Sequence, residues 1–78
     1  MTEKEISEIF RENKLHYYWF VHPETHLLHV EVDHGDWKHD HLFLDYTMRN
    51  LGFTLAATVP FGEPTGDDSY SATHIYVM

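Results

Sequence analysis

Cysteine is absent from this chain of 78 residues. Disulfides and thiolate-bound zinc or iron–sulfur centres are therefore excluded, and any metal site has to be built from imidazole and carboxylate groups. A single domain of this length removes only roughly 60–65% of its unfolded surface from water, so its core has to be small. Two Trp, five Tyr and five Phe can fill that core, since each buries about 150–250 Å².

Basic residues are also scarce. Five Lys and Arg stand against thirteen Asp and Glu, which leaves a net charge of −8 with histidines neutral. Such a chain repels phosphate backbones, so nucleic acid is not expected as a direct partner, and a cation or a basic protein surface is electrostatically favoured. The charged start and the lack of any long apolar run predict a cytoplasmic protein without a membrane segment.

The first half of the chain predicts a short helix followed by a β-hairpin. Thr2 and Glu5 form a capping-box pattern, and the helix that it starts should end near Asn13 or Lys14. Residues 16–22 are aromatic and β-branched, with Pro23 directly after them, as is typical of a strand that stops at a turn. Residues 27–33 alternate apolar and polar side chains, the pattern of a half-buried strand.

A second helix is predicted to begin at Asp36, a favourable N-cap, or at the neighbouring His34-Gly35 pair. It should end at Leu51, where Gly52 can adopt a left-handed conformation. At 100° per residue one stripe of this helix faces the core. That stripe comprises Trp37, His41, Leu44, Met48 and Leu51, with Leu42, Phe43 and Tyr46 on other sides.

Residues 53–59 and 70–77 read as two further strands. The order α-β-β-α-β-β predicts an α+β fold, a four-stranded antiparallel sheet with both helices on one face, and leaves the strand order open. The face under the helices is expected to carry Leu28, Val30, Val32, Leu55, Ala57, Val59, Ile75 and Val77. The other face is expected to carry His29, Glu31, Thr54, Thr58, His74 and Tyr76, joined by either Tyr17 and Trp19 or Tyr18 and Phe20.

An open sheet face with exposed aromatic side chains usually marks an interaction site. We therefore expect a homodimer that pairs through this face or through a sheet edge. The expected interface residues are Tyr18, Phe20, His29, Glu31, His74 and Tyr76.

Residues 34–41, His-Gly-Asp-Trp-Lys-His-Asp-His, concentrate imidazole and carboxylate groups at a helix start. His34, Asp36, His39 and Asp40 form a candidate set of ligands for a divalent metal. The alternative is structural: Asp36 caps the helix, Asp40 lies near the positive end of the helix dipole, and His39 is solvated. The His39-Asp40 doublet resembles that of the HD-type metal-dependent phosphohydrolases, but those domains are all-helical and much longer.

His41 has two interpretations of its own. In the structural one it stacks on Trp37 and hydrogen-bonds an acid such as Asp45, holding a polar group at the edge of the core. In the functional one it is a general base, although no recognisable motif places a nucleophile beside it. Ser69 and Ser71 lack the surroundings of a nucleophile elbow, so a serine hydrolase is set aside.

The block 34–41 and the segment 66–74, Gly-Asp-Asp-Ser-Tyr-Ser-Ala-Thr-His, resemble a family of small uncharacterised bacterial proteins, some from gut organisms and mobile elements. The resemblance covers the C-terminal half and implies no activity. It implies that the two stretches converge into one functional cluster. That cluster comprises His34, Asp36, Trp37, His39, Asp40, His41, Asp67, Asp68 and His74.

Three functions are compatible with these features. The first is a non-enzymatic binding or accessory module that self-associates through its sheet, with an unidentified protein partner. The second is a hydrolase in which a divalent metal held by the His/Asp cluster activates water. The third is an antagonist whose acidic surface mimics nucleic acid and occupies a basic protein.

Overall fold

The computed structural model describes residues 1–63 and 69–78 of the chain. In these residues two helices and four strands follow the order α-β-β-α-β-β, which confirms the α+β fold. The elements are α1 (Glu3–Glu12), β1 (Tyr18–Val21), β2 (Leu28–Asp36), a π-helical segment (Trp37–Leu42) that continues into α2 (Phe43–Asn50), β3 (Thr54–Phe61) and β4 (Ser69–Val77).

Helix α1 begins with the predicted capping box. The Thr2 hydroxyl accepts the Glu5 backbone N–H, and the Glu5 carboxylate accepts the Thr2 backbone N–H, each at 3.2 Å. Two N–H groups that would lack a helical partner are thereby satisfied. The helix ends at Glu12, and its buried residues Ile6 and Phe10 face the sheet. The Phe10 ring lies 5.8 Å from that of Trp19 on β1.

The strands form one antiparallel sheet in the order β1-β2-β4-β3. The two hairpins are therefore joined by the pairing of β2 with β4, which settles the order that the sequence left open. Strands β1 and β3 are the edges of the sheet. Both helices lie on the same face, where their side chains and those of the sheet share one core.

The face of β2 is as predicted, since Leu28, Val30 and Val32 are buried. The prediction for β4 is wrong: His74 and Tyr76 are 4% and 0% exposed and lie under the helices. The neighbours Ile75 and Val77 consequently point to the open face. Side chains alternate between the two faces along a strand. If one residue of a strand is assigned to the wrong face, all the other residues of that strand are assigned to the wrong face as well.

Strand β3 departs from the prediction for a different reason. Its register against β4 shifts between Leu55 and Ala57, so one extra residue changes the face that the rest of the strand presents. Leu55 packs against the core as predicted, whereas Ala57 and Val59 are exposed. Thr58 is paired with His74 and borders a pocket on the helix side, although its side chain is exposed as well.

The second helix begins after Asp36 and is followed by Gly52 at φ +98°, as the sequence predicts. Its first six residues, however, form a π-helix, whose wider i→i+5 turn changes the angular spacing of side chains. His41, Leu44 and Met48 are buried as expected, but Trp37 and Leu51 are 51% and 40% exposed. The core stripe is therefore shorter than the helical wheel predicts.

Among the described residues, no helix has the length and apolar character that crossing a membrane requires.

Candidate functional site

The turn from β2 into the π-helical segment depends on a close backbone approach. Gly35 is buried, and a Cβ built on it would overlap Val32 Cγ1 and lie 2.9 Å from the Asp40 Cβ. Only glycine fits this position without a local shift. His34, just before it, adopts the left-handed region at φ 54°. Residues 34–41 are thus shaped by steric demands as well as by hydrogen bonds.

Asp36 caps the π-helical segment. Its Oδ1 accepts the backbone N–H groups of Lys38 at 2.8 Å and His39 at 3.0 Å. The bond from His39 N–H is the main reason that the pKa of Asp36 lies below its usual value. His39 itself is exposed. The predicted cap at Asp36 and the predicted exposure of His39 are therefore both observed.

Asp40 serves as a brace between elements. Its Oδ2 accepts the Asp36 backbone N–H at 2.7 Å, and its Oδ1 accepts the Tyr17 hydroxyl at 3.1 Å. Burial, followed by this bond to Asp40, raises the pKa of Tyr17 to about 12. The contacts join the start of β1 to the π-helical segment. Asp40 is thus engaged on both carboxylate oxygens.

His34 takes part in a second brace at the irregularity in β2. Its backbone N–H donates to Ser71 Oγ at 3.0 Å, and the Ser71 hydroxyl donates to Asp33 Oδ1 at 2.8 Å. The His34 ring lies 3.5 Å from the Asp33 carboxylate, with both side chains largely exposed. Ser71 therefore holds the irregular part of β2 through two hydrogen bonds.

A cleft of about 390 Å³ opens beside these two braces. Its lining includes His16, Tyr18, Glu31, Asp33, His34 and Asp40. Within residues 1–63 and 69–78, no group of three or more histidines and carboxylates is arranged to hold a metal ion. Asp36 and Asp40, the carboxylates predicted as metal ligands, accept hydrogen bonds in the helix cap and between elements instead. The geometry of the described residues therefore does not support the metal-site hypothesis.

The predicted cluster is brought together only in part. His41 and His74, 33 residues apart, are both buried, and His41 Nδ1 lies 2.9 Å from His74 Nε2. Trp37 borders the same pocket, whereas the other described members are engaged in the braces or in the cap, or are exposed. Asp67 and Asp68 lie outside the described residues.

The stacking partner and the hydrogen-bond partner of His41 both differ from those that the sequence predicts. Its ring stacks on Tyr70 rather than Trp37, with centroids 3.9 Å apart and planes 3° from parallel. Its Nε2 donates to the Tyr70 carbonyl at 2.8 Å. Asp45, the expected partner, instead accepts the Tyr76 hydroxyl at 3.1 Å and the Arg49 guanidinium at 2.9 Å.

These contacts define the tautomers of the two histidines. The Tyr70 carbonyl can only accept, so neutral His41 carries its proton on Nε2 and has a lone pair on Nδ1. His74 must then donate from Nε2, which leaves its Nδ1 lone pair facing the Thr58 hydroxyl at 3.5 Å. Protons are therefore donated in one direction along the chain, from Thr58 to His74 to His41 to the Tyr70 carbonyl. We call these four groups the imidazole chain.

Burial lowers the pKa of His74, and the adjacent His41 lowers it further, while Asp45 acts in the opposite direction. His74 is accordingly neutral near pH 7, with a lone pair available on Nδ1. The imidazole chain borders a pocket of about 150 Å³. The other walls of this pocket are Trp37, Leu42, Asp45 and Leu55.

Sequence reasoning did not identify Thr58 or Tyr70 as site residues. The alternation in β3 and β4 correctly assigns Thr58 and His74 to one face, but it assigns both to the open face. Thr58 and His74 could be assigned to the helix side only once the register shift between Leu55 and Ala57 was known. Tyr70 acts through its backbone carbonyl and its ring face, which leave no distinctive sequence pattern.

No family model, curated protein or solved structure matches this chain. The resemblance of residues 34–41 and 66–74 to small bacterial proteins therefore stays a prediction.

Proposed function

We propose that the protein is a binding module that forms a homodimer through the open face of its sheet. Two rows of paired residues cross all four strands on that face. The rows are Phe20–His29–Ile75–Ala57 and Tyr18–Glu31–Thr73–Val59. We call these eight residues the open face. They contain a single carboxylate, in a chain whose net charge is −8.

The open face lies on the side away from the helices, and five of its eight residues are apolar or aromatic. Tyr18 is 65% exposed and Val59 is 50% exposed. Rings continue across the β1–β2 hairpin, where Phe20 stacks on His29 at 4.8 Å and His22 lies 5.5 Å from His29. Contiguous apolar surface of this kind is characteristic of an interaction site rather than of a solvated face.

The distribution of charge favours a second copy as the occupant. A basic partner would be attracted to carboxylates, yet on the open face only Glu31 supplies one. Two copies, each with net charge −8, repel one another least when they meet through their least charged surface. A face that meets its own copy about a twofold axis is self-complementary, the commonest arrangement in soluble oligomers. Two sheets would then pack as a sandwich, with the helices outside.

The size of the whole sheet, of which the open face is a part, favours a reversible dimer. Strands of four, nine, eight and nine residues project roughly 500 Å² at about 3.3 Å per residue and 4.8 Å between strands. A standard interface buries about 800 Å² per partner. The side chains that protrude from the sheet add to the projected area, but they do not make the interface large. We therefore expect association at micromolar concentrations and not an obligate dimer.

Sedimentation velocity over a range of concentrations tests the proposal. The wild-type protein should change from monomer to dimer as concentration rises. Val59→Glu should stay monomeric, because it would bury a second carboxylate on each copy. Tyr46→Glu is the matched control: Tyr46 lies on α2 and is 69% exposed, so its substitution should leave the dimer intact. A monomer throughout, or a dimer unaffected by Val59→Glu, would contradict the proposal.

Hydrogen exchange of the β3 amides separates face pairing from pairing through the β3 edge. If two copies joined through the β3 edges, the outward amides of Thr54–Phe61 would become protected at high concentration. Face pairing buries side chains and leaves those edge amides open. Protection of the β3 amides would therefore assign the dimer to the edge and overturn the face proposal.

A further inference from the structure

The imidazole chain has the arrangement that activates a hydroxyl group for nucleophilic attack. A threonine hydroxyl is a weak nucleophile unless a neighbouring base accepts its proton. His74 Nδ1 offers a lone pair 3.5 Å from Thr58 Oγ1. His41 accepts from the opposite nitrogen of His74 at 2.9 Å, so the orientation and the tautomer of the base are both determined. A third group that orients the base is the general feature of such sites.

We propose that Thr58 is a nucleophile for small activated acyl groups, with His74 as its general base and His41 as a positioning residue. The proposal concerns the helix side of the sheet, opposite to the open face. It is therefore independent of the proposed dimer and can hold whether or not that dimer forms.

The pocket limits the class of substrate. Its volume of about 150 Å³ equals roughly five water molecules at about 30 Å³ each. Pockets that enclose larger metabolites typically measure about 300–1,000 Å³. Leu42 and Leu55 supply apolar walls for a short alkyl group, next to the reactive hydroxyl. A short-chain acyl ester or thioester fits these dimensions.

The chemical step conserves protons and bonds. Thr58 Oγ1 attacks the carbonyl carbon of the ester, and its proton passes to His74 Nδ1. The bond from the carbonyl carbon to the leaving oxygen then breaks, and that oxygen takes the proton from His74. The products are an acyl ester on Thr58 and an alcohol.

Both protonation states of His74 are compatible with its hydrogen bond to His41, although burial disfavours the charged state. When His74 holds the extra proton on Nδ1, its Nε2–H still donates to His41. His41 in turn still donates to the Tyr70 carbonyl. No hydrogen bond beyond that of Thr58 has to break during the transfer. The hydrogen bonds of the buried pair are therefore compatible with proton transfer at His74.

p-Nitrophenyl acetate is a suitable probe, followed by peptide mass spectrometry. Release of nitrophenol alone is not diagnostic, because exposed imidazoles also react with this ester. Acylation of Thr58 is diagnostic, since it yields a stable ester within residues 54–61. The wild-type protein should acquire it, Thr58→Ser should retain acylation at residue 58, and Thr58→Val should lose it. His39→Asn, which removes an exposed imidazole, should leave the labelling of Thr58 unchanged.

The contribution of the histidines has its own measurement. His74→Gln should slow labelling of Thr58 by roughly 10²-fold or more, the usual effect of removing a general base. In His41→Asn the midpoint of the pH profile should move upward, because His41 lowers the pKa of His74. If His41 were merely structural, His41→Asn would lower the amount of folded protein but would leave the midpoint of the pH profile unchanged.

The wild-type protein provides a test that needs no substitution. Imidazole ¹⁵N shifts at pH 7.5 should show a proton on Nε2 and none on Nδ1 of His74. The reverse tautomer would overturn the proposal. So would acyl label confined to lysines, exposed histidines or the N-terminal amine and unchanged by Thr58→Val.

Discussion

Gly35 and Asp40 approach so closely that a Cβ on Gly35 would lie 2.9 Å from the Asp40 Cβ and would overlap Val32. This contact brings the end of β2 against the π-helical segment. The braces of Asp40 depend on it, because Asp40 accepts hydrogen bonds from both Tyr17 and Asp36.

Gly35→Ala should therefore destabilise the protein by about 1–3 kcal/mol, the usual cost of overpacking. Gly62→Ala is the matched control, since Gly62 has φ +73° with no atom within 4 Å of its built Cβ. Its cost should be about 1–2 kcal/mol and arise from backbone strain alone. Urea unfolding measures both. A Gly35→Ala variant as stable as the wild type would contradict the steric argument.

Tyr76→Phe should lower the free energy of unfolding by about 1 kcal/mol. The ring stays in the core, but the hydroxyl that donates to Asp45 at 3.1 Å is lost. For a domain of this size the change corresponds to about 4–8 °C in Tm. Tyr46→Phe removes a hydroxyl from a residue that is 69% exposed and should leave the Tm unchanged. Equal shifts in the two variants would contradict the assigned bond.

Asp36→Ala should cost about 1 kcal/mol, because two backbone N–H groups lose their acceptor. Asp36→Asn keeps a side-chain oxygen that can accept them, so its effect should be only a few tenths of a kcal/mol. The difference between the two variants in urea unfolding isolates the cap. If Asp36→Asn were as damaging as Asp36→Ala, the charge and not the cap would be responsible.

Stability should decrease as the pH falls below about 6.5, the ordinary pKa of histidine. The pKa of His74 is lowered in the folded state by burial and by His41, and that of His29 is lowered by burial and by His22. Between the unfolded and folded pKa values the unfolded chain binds more protons, so acid favours unfolding. Urea midpoints at pH 7.5 and 5.5 measure the effect.

His74→Gln should show a smaller loss of stability between these two pH values than the wild type. His39→Asn, at an exposed position, should retain the full loss. If all three proteins had the same pH dependence, His74 would not be responsible for it.

Local features of this fold were predictable because neighbours in sequence determine them. The Thr2–Glu5 capping box, the Asp36 cap and the positive φ of Gly52 each depend on contacts within a few residues. The faces of β2 were predictable because Leu28, Val30 and Val32 alternate with polar residues. The order of elements follows from these signals, since each begins or ends at a recognisable cap, turn or strand pattern.

The faces of β3 and β4 were not predictable in the same way. The shift next to Leu55 has no obvious signal in a run of small and β-branched residues. In β4, polar and apolar side chains do not separate: Tyr76 and His74 are buried because their polar atoms find Asp45, His41 and Thr58. A hydropathy pattern alone favours burying Ile75 and Val77 instead.

The sequence by itself thus determined the kinds and order of the elements and excluded thiolate chemistry, because local propensity, capping and composition suffice for those conclusions. Only the tertiary structure decided which histidines come together in the core. Burial of His41 and His74 is favourable only when each ring nitrogen has a partner, and those partners come from β3, β4 and the π-helical segment. Contacts between residues that are 16–33 positions apart depend on strand register, which is set when the sheet and the helices pack together.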